Sequence, residues 1–189
     1  ISDSYKNWRG MQETGGRRIK RALHLDAASV RFLDQREIRR LSGLQLLAEY
    51  LPSRERDVEQ WNEALGDAAG LPANRRRLTN LGTFRAYVQN YLDGHPQIHH
   101  QLSCMVRQLA SGPQGVPLEL YCFTATVDWA EYEGIQADIF DHLFALLPEF
   151  GLALYQQPSG QDVRSALALR GETPAKSTVD RRAIQLDEA

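Results

Sequence analysis

Residues 116–157 constrain the fold more than any other part of the chain. They read VPLELYCFTATVDWAEYEGIQADIFDHLFALLPEFGLALYQQ. Val116 to Val127 alternates as a strand, with Leu118, Leu120 and Cys122 on one side and Tyr121 and Phe123 on the other. Asp128 and Glu131 have the spacing of a capping box. Behind them Trp129, Tyr132, Ile135, Ile139, Phe140, Leu143, Phe144 and Leu147 form one long apolar helical face. Pro148 and Gly151 end that helix, and Leu152 to Gln156 reads as a further strand. A strand, an amphipathic helix and a strand with almost no loop between them must pack against one another. Repeated twice, that unit is a small α/β sandwich. No cluster of catalytic residue types lies within it.

The first half of the chain supplies the other copy. In RRIKRALHL, Ile19, Leu23 and Leu25 share one parity, and Lys20, Ala22 and His24 the other, which predicts a half-buried strand over Arg17–Leu25. Asp34 and Glu37 form a capping box, followed by Ile38, Leu41, Leu44, Leu47, Ala48 and Leu51 along one helical face. Pro52 is the expected stop. Val58, Trp61 and Leu65 predict a short helix ending near Gly66. After the loop AAGLPANRRR, Asn80 is the expected cap of a helix with Leu81, Phe84, Tyr87, Val88, Tyr91 and Leu92 on its apolar stripe. Gly94 and Pro96 end it. Leu102–Leu109 and Val116–Val127 then flank the turn SGPQGVP as a hairpin.

The order strand, helix, insert, strand, strand, helix, strand predicts an α+β fold, a ferredoxin-like βαββαβ sandwich with a two-helix insertion at about 53–96. The domain spans residues 17–157. Residues 1–16 read as a strand and turn left over from an upstream domain. Residues 158–189 form a polar C-terminal tail, with a short helix expected at Val163–Leu169.

Both crossover helices should cover one face of the sheet. The uncovered face then carries Ala22, His24, Met105, Arg107, Tyr121, Phe123, Ala153 and Tyr155. An aromatic- and Met-bearing patch of this kind marks an interface, or else is covered by the insert helices or the N-terminal strand. Met105, Arg107, Tyr121, Phe123 and Tyr155 are the candidate subunit-interface residues.

Several function classes lack support. A formal charge of -2 over 189 residues argues against an obligate nucleic-acid or anionic-membrane binder. Two cysteines make no disulfide framework, and reduced thiols in a cytosolic setting are expected. No apolar run reaches the ~20 residues that span a bilayer, and no signal peptide is visible. Because the chain opens on Ile1 and a polar segment, it reads as a piece of a longer protein.

Local motifs give little chemistry. His95, His99 and His100 have no Cys or acid at ligand spacing, so no metal is expected. Cys104 and Cys122 read as small core residues approaching diagonally across the hairpin. The basic runs Arg75–Arg77 and Arg17–Arg21 read as solvated faces or intersubunit ion pairs, with Glu55, Asp57 and Glu59 nearby to offset the first. Gly15–Gly16 lacks the helix and Lys of a phosphate cradle. No catalytic residue, cofactor site or enzymatic activity is expected.

Taken in order, WRGMQETGGRRIKR, LTNLGTFRAYVQNYL, VRQL, LELYCF, WAEYEGIQADIFDHLFALLPEFGL and QQPSG resemble the cytosolic region of the MscS-type mechanosensitive ion channels, in particular the miniconductance YbdG-like branch. The resemblance covers roughly residues 5–160. It implies that Tyr5–Arg18 ends a β-domain, that the α/β domain follows, and that identical subunits, typically heptamers, build a hollow vestibule beneath a pore in the bacterial inner membrane. This region would lie on the cytoplasmic side, attached to the membrane through transmembrane helices upstream. The implied activity is ion release under membrane tension during osmotic downshock. No pore residue maps onto this chain, so its share would be assembly and gating support. The alternative is a soluble regulatory module, ACT-like, that binds a small molecule at a dimer interface of the same fold.

Overall fold

A computed structural model describes residues 15–157, with Gly160, Arg164, Ser165 and Ala168. The chain divides into two units, Ile1–Tyr155 and Gln156–Ala189. In the second, residues 160, 164, 165 and 168 are helical. The rest of the helix expected at Val163–Leu169, and residues 1–14 of the expected upstream remnant, lie outside the described residues.

The first unit mixes helices with an antiparallel sheet. Strand β1 (Arg17–Leu25) leads to helices α1 (Gln35–Leu41), α2 (Tyr50–Ala64) and α3 (Asn80–Asp93). Strands β2 (Met105–Gln108) and β3 (Val116–Thr124) form a hairpin, and helix α4 (Trp129–Leu146) follows. The sheet order is β1-β3-β2, so β3 is central and antiparallel to both neighbours. In the expected last strand, only Leu154 pairs, through one antiparallel bridge to Leu25. Flanking that bridge, Asp26 N donates to Ala153 O and Tyr155 N donates to His24 O, both at 2.8 Å.

Alternation sets the faces. Ile19, Leu23 and Leu25 of β1 and Val116, Leu118, Leu120 and Cys122 of β3 are buried. They join Phe84, Val88 and Leu92 of α3 and Ile135, Ile139, Phe140 and Leu143 of α4 in one core. Arg21 has core-facing parity yet is exposed, because its guanidinium lies 4.2 Å over the Phe140 ring and covers the core's margin. At the hairpin end, Gly115 has φ +79, and a Cβ there would stand 2.1 Å from Leu25 O. Only glycine lets β1 and the turn approach so closely.

The helices depart from the sequence expectation in three places. The helix begun by the Asp34–Glu37 capping box ends at Leu41, and a new one starts at Tyr50 with Pro52 inside its first turn. Proline is tolerated there because the first-turn N–H groups have no intrahelical acceptor. Second, Thr79, not Asn80, caps α3, its hydroxyl accepting from Gly82 N at 3.0 Å. Third, Trp129 is 65% exposed and stands outside the apolar face of α4. Asp128 caps α4, but Glu131 does not close a box. Its carboxylate accepts instead from Thr126 Oγ1 at 2.7 Å.

Segment 53–96, read from sequence as an insert, divides by packing. Helix α2 buries only Leu51, whereas α3 buries Leu81, Phe84, Tyr87, Val88 and Leu92 and lies against β2. The strands are shorter than expected. β2 starts only at Met105, since His99–Leu102 forms a turn, and β3 stops at Thr124, where Ala125 N turns to Gln97 O. Among the described residues no helix is long and apolar enough to cross a membrane.

Candidate functional site: the open face of the sheet

The face of the sheet opposite the core is built by register. Across it, Lys20, Tyr121 and Met105 form one row, and Ala22, Glu119 and Arg107 form the next. Arg18 lies beside Phe123, and His24 beside Pro117. The Leu154 bridge sets Tyr155 next to His24. Met105, Arg107, Tyr121, Phe123 and Tyr155 therefore share one face, because residues two apart on a strand point the same way.

The patch is part apolar and part cationic. Met105 is 40% exposed, and Tyr121, Phe123 and Tyr155 are half-buried. The Tyr121 and Phe123 rings meet edge to face at 5.8 Å, a favoured aromatic geometry. Two guanidiniums flank Tyr121, Arg18 at 6.0 Å and Arg107 at 5.9 Å from the ring centroid. Arg107 also donates from Nε and Nη2 to Glu119 Oε1, at 2.8 and 2.6 Å. Glu119 is buried and Arg107 exposed, so the pair holds the guanidinium in place beside Tyr121.

Sequence reasoning did not single out Arg18, Lys20 or Glu119 as members of this face. The signal was present. Arg18 and Lys20 have the parity of Ala22, and Glu119 has that of Tyr121. Charge made them look like ordinary solvated positions.

The other motifs take structural places. His95 Nδ1 accepts from Gln97 N at 3.2 Å and His99 Nδ1 from Gln101 N at 3.3 Å, so both rings brace turns. Burial in contact with Tyr91 pushes His95 below the usual histidine range. Among the described residues no group of three His, Cys, Asp or Glu side chains could hold a metal ion. A cleft of about 710 Å³ opens between α2 and the loop before α3. Glu55, Glu59 and Glu63 line it with Arg75, Arg76 and Arg77. Arg76 stacks 3.5 Å over Trp61, and Arg77 3.8 Å over Phe32.

No known protein-family model matches the chain.

Proposed function

We propose that this chain is the cytosolic assembly domain of an MscS-type mechanosensitive ion channel, and that the open sheet face packs against identical subunits. The observation that carries the reading is the patch of Met105, Tyr121 and Phe123 framed by Arg18 and Arg107. Aromatic side chains, Met and Arg are the types enriched at the buried centre of protein interfaces. The order β1-β3-β2, with Leu154 beside β1, agrees with a ferredoxin-like sheet reduced at its fourth strand. The ordered sequence resemblance supplies the channel context.

In this account the pore belongs to membrane-spanning segments encoded outside these residues, in the bacterial inner membrane. The vestibule domains hold the subunits in register on the cytoplasmic side. Tension that favours an expanded pore then shifts the whole ring between closed and open populations, since each subunit's state is tied to its neighbours'. The chain needs no catalytic group or cofactor for this role.

The test is electrical. The full-length protein, produced in bacterial cells lacking other mechanosensitive channels, is patched under graded suction. Tension-gated unitary currents support the proposal. A well-expressed, membrane-inserted protein giving no such current contradicts it. Thermal stabilisation of the chain by an amino acid or nucleotide would favour the regulatory ligand-binding module instead.

A further inference from the structure

The two cysteines lie closer than a diagonal approach. Met105 pairs with Tyr121, so one step further along the hairpin sets Cys104 directly opposite Cys122. The hydrogen bonds fix the type of position. Leu109 N donates to Pro117 O at 3.0 Å, and bonded pairs recur at every second residue, at Arg107/Glu119 and Met105/Tyr121. Val106 N instead turns away from β3 to Gln89 Oε1, at 2.9 Å. Cys104 and Cys122 thus fall at a non-hydrogen-bonded pair, where opposing Cα atoms are about 4.5 Å apart. That separation lies within the range a disulfide spans. Both cysteines are free.

We propose that Cys104 is a site of thiol–disulfide exchange with a small-molecule disulfide, resolved by Cys122 into a cross-strand bond between β2 and β3.

The two thiols differ in access. Cys104 is half-buried beside the edge strand β2, whereas Cys122 is 0% exposed in the core. An incoming disulfide meets Cys104 first. The neighbouring Cys122 thiol draws the Cys104 thiol below its usual range, against burial and the nearby Asp93 carboxylate. Gln89 Nε2 donates to its sulfur at 3.8 Å. The adjacent Cys104, together with burial, pushes the Cys122 thiol up, which suits a resolving group that waits for the first step.

The Cys104 thiolate attacks one sulfur of the incoming disulfide, a protein–small-molecule disulfide forms, and one small thiolate leaves. Cys122 then gives its proton to that thiolate and attacks the Cys104 sulfur, expelling the second small thiolate, which takes up from solvent the proton that Cys104 released. Two protein thiols are oxidised and one external disulfide is reduced to two thiols. The new bond closes the hairpin one residue from Met105 and Tyr121. The inference is independent of the channel reading.

The experiment incubates the full chain with oxidised glutathione, blocks remaining thiols with an alkylating agent, and measures intact and peptide masses. The expected result is loss of two hydrogens, no alkylation, and a linked peptide pair that dithiothreitol releases. Cys122→Ala should instead hold one glutathionyl group on Cys104. Cys104→Ala should leave Cys122 reduced, and this variant serves if Cys122→Ala fails to fold. Two fully alkylated cysteines in the unsubstituted chain would overturn the proposal. So would a glutathionyl adduct that never closes, or bonds only between chains.

Discussion

Arg107 gives two hydrogen bonds to a single oxygen of Glu119, and the pair joins the hairpin's two strands on the open face. The carboxylate side chain is 8% exposed and the guanidinium side chain 46%. Removing one partner therefore differs from removing both. Arg107→Ala leaves a buried carboxylate unsatisfied and should cost roughly 1–3 kcal/mol. Replacing both residues with leucine should recover most of that loss, since an apolar pair has nothing to desolvate. Chemical unfolding of Arg107→Leu, Glu119→Leu and the double leucine variant gives the coupling directly. Additive losses would show that the pair is not coupled.

Asn80 ties three separate segments together. Its Oδ1 accepts from Arg31 N at 2.9 Å, and its Nδ2 donates to Ser29 O at 2.9 Å and Gly151 O at 3.3 Å. The residue is 0% exposed. Asn80→Ala should destabilise the domain by roughly 3 kcal/mol, because it takes the partner from several part-buried backbone groups at once. Denaturant melts of this variant beside Thr79→Ala, which removes only the cap and should cost about 1 kcal/mol, separate the two roles. Equal losses would contradict the clamp.

Glu37 makes stability depend on acid. Arg31 holds it from Nη1 and Nη2 at 2.7 and 2.6 Å, and with the Asp34 backbone N–H lowers its carboxyl from 4.5 to about 2. A folded value below the unfolded one stabilises the charged form. The contribution is complete above about pH 4.5 and is lost as the pH falls toward about 2. Glu37→Gln should therefore lower the melting temperature at neutral pH and narrow its gap to the unsubstituted protein through that window. A gap independent of pH would contradict the assignment.

Much of the sheet was legible because one-sided burial writes a period of two into β1 and β3. The same alternation located Met105, Arg107, Tyr121, Phe123 and Tyr155 on one face. What escaped depended on contacts far along the chain. Nothing local distinguishes Pro52 as a first-turn residue from Pro52 as a stop. Asn80 looks like a cap until Ser29, Arg31 and Gly151 converge on it. Glu119 looks solvated until Arg107 covers it. The reduction of the last strand to Leu154 reflects pairing available beside β1, which residues 152–156 do not encode alone.

Tyr121 stands at the middle of the open face, between Lys20 and Met105. Tyr121→Asp places a charge where the account puts the buried centre of a subunit contact, while the side chain stays partly exposed in the lone domain. The most direct measurement is the mass of the detergent-solubilised full-length protein, with and without Tyr121→Asp, alongside the circular dichroism of each isolated domain. The expected result is a homo-oligomer, typically a heptamer, that dissociates in the variant while the domain keeps its fold. An intact oligomer in the variant would contradict it.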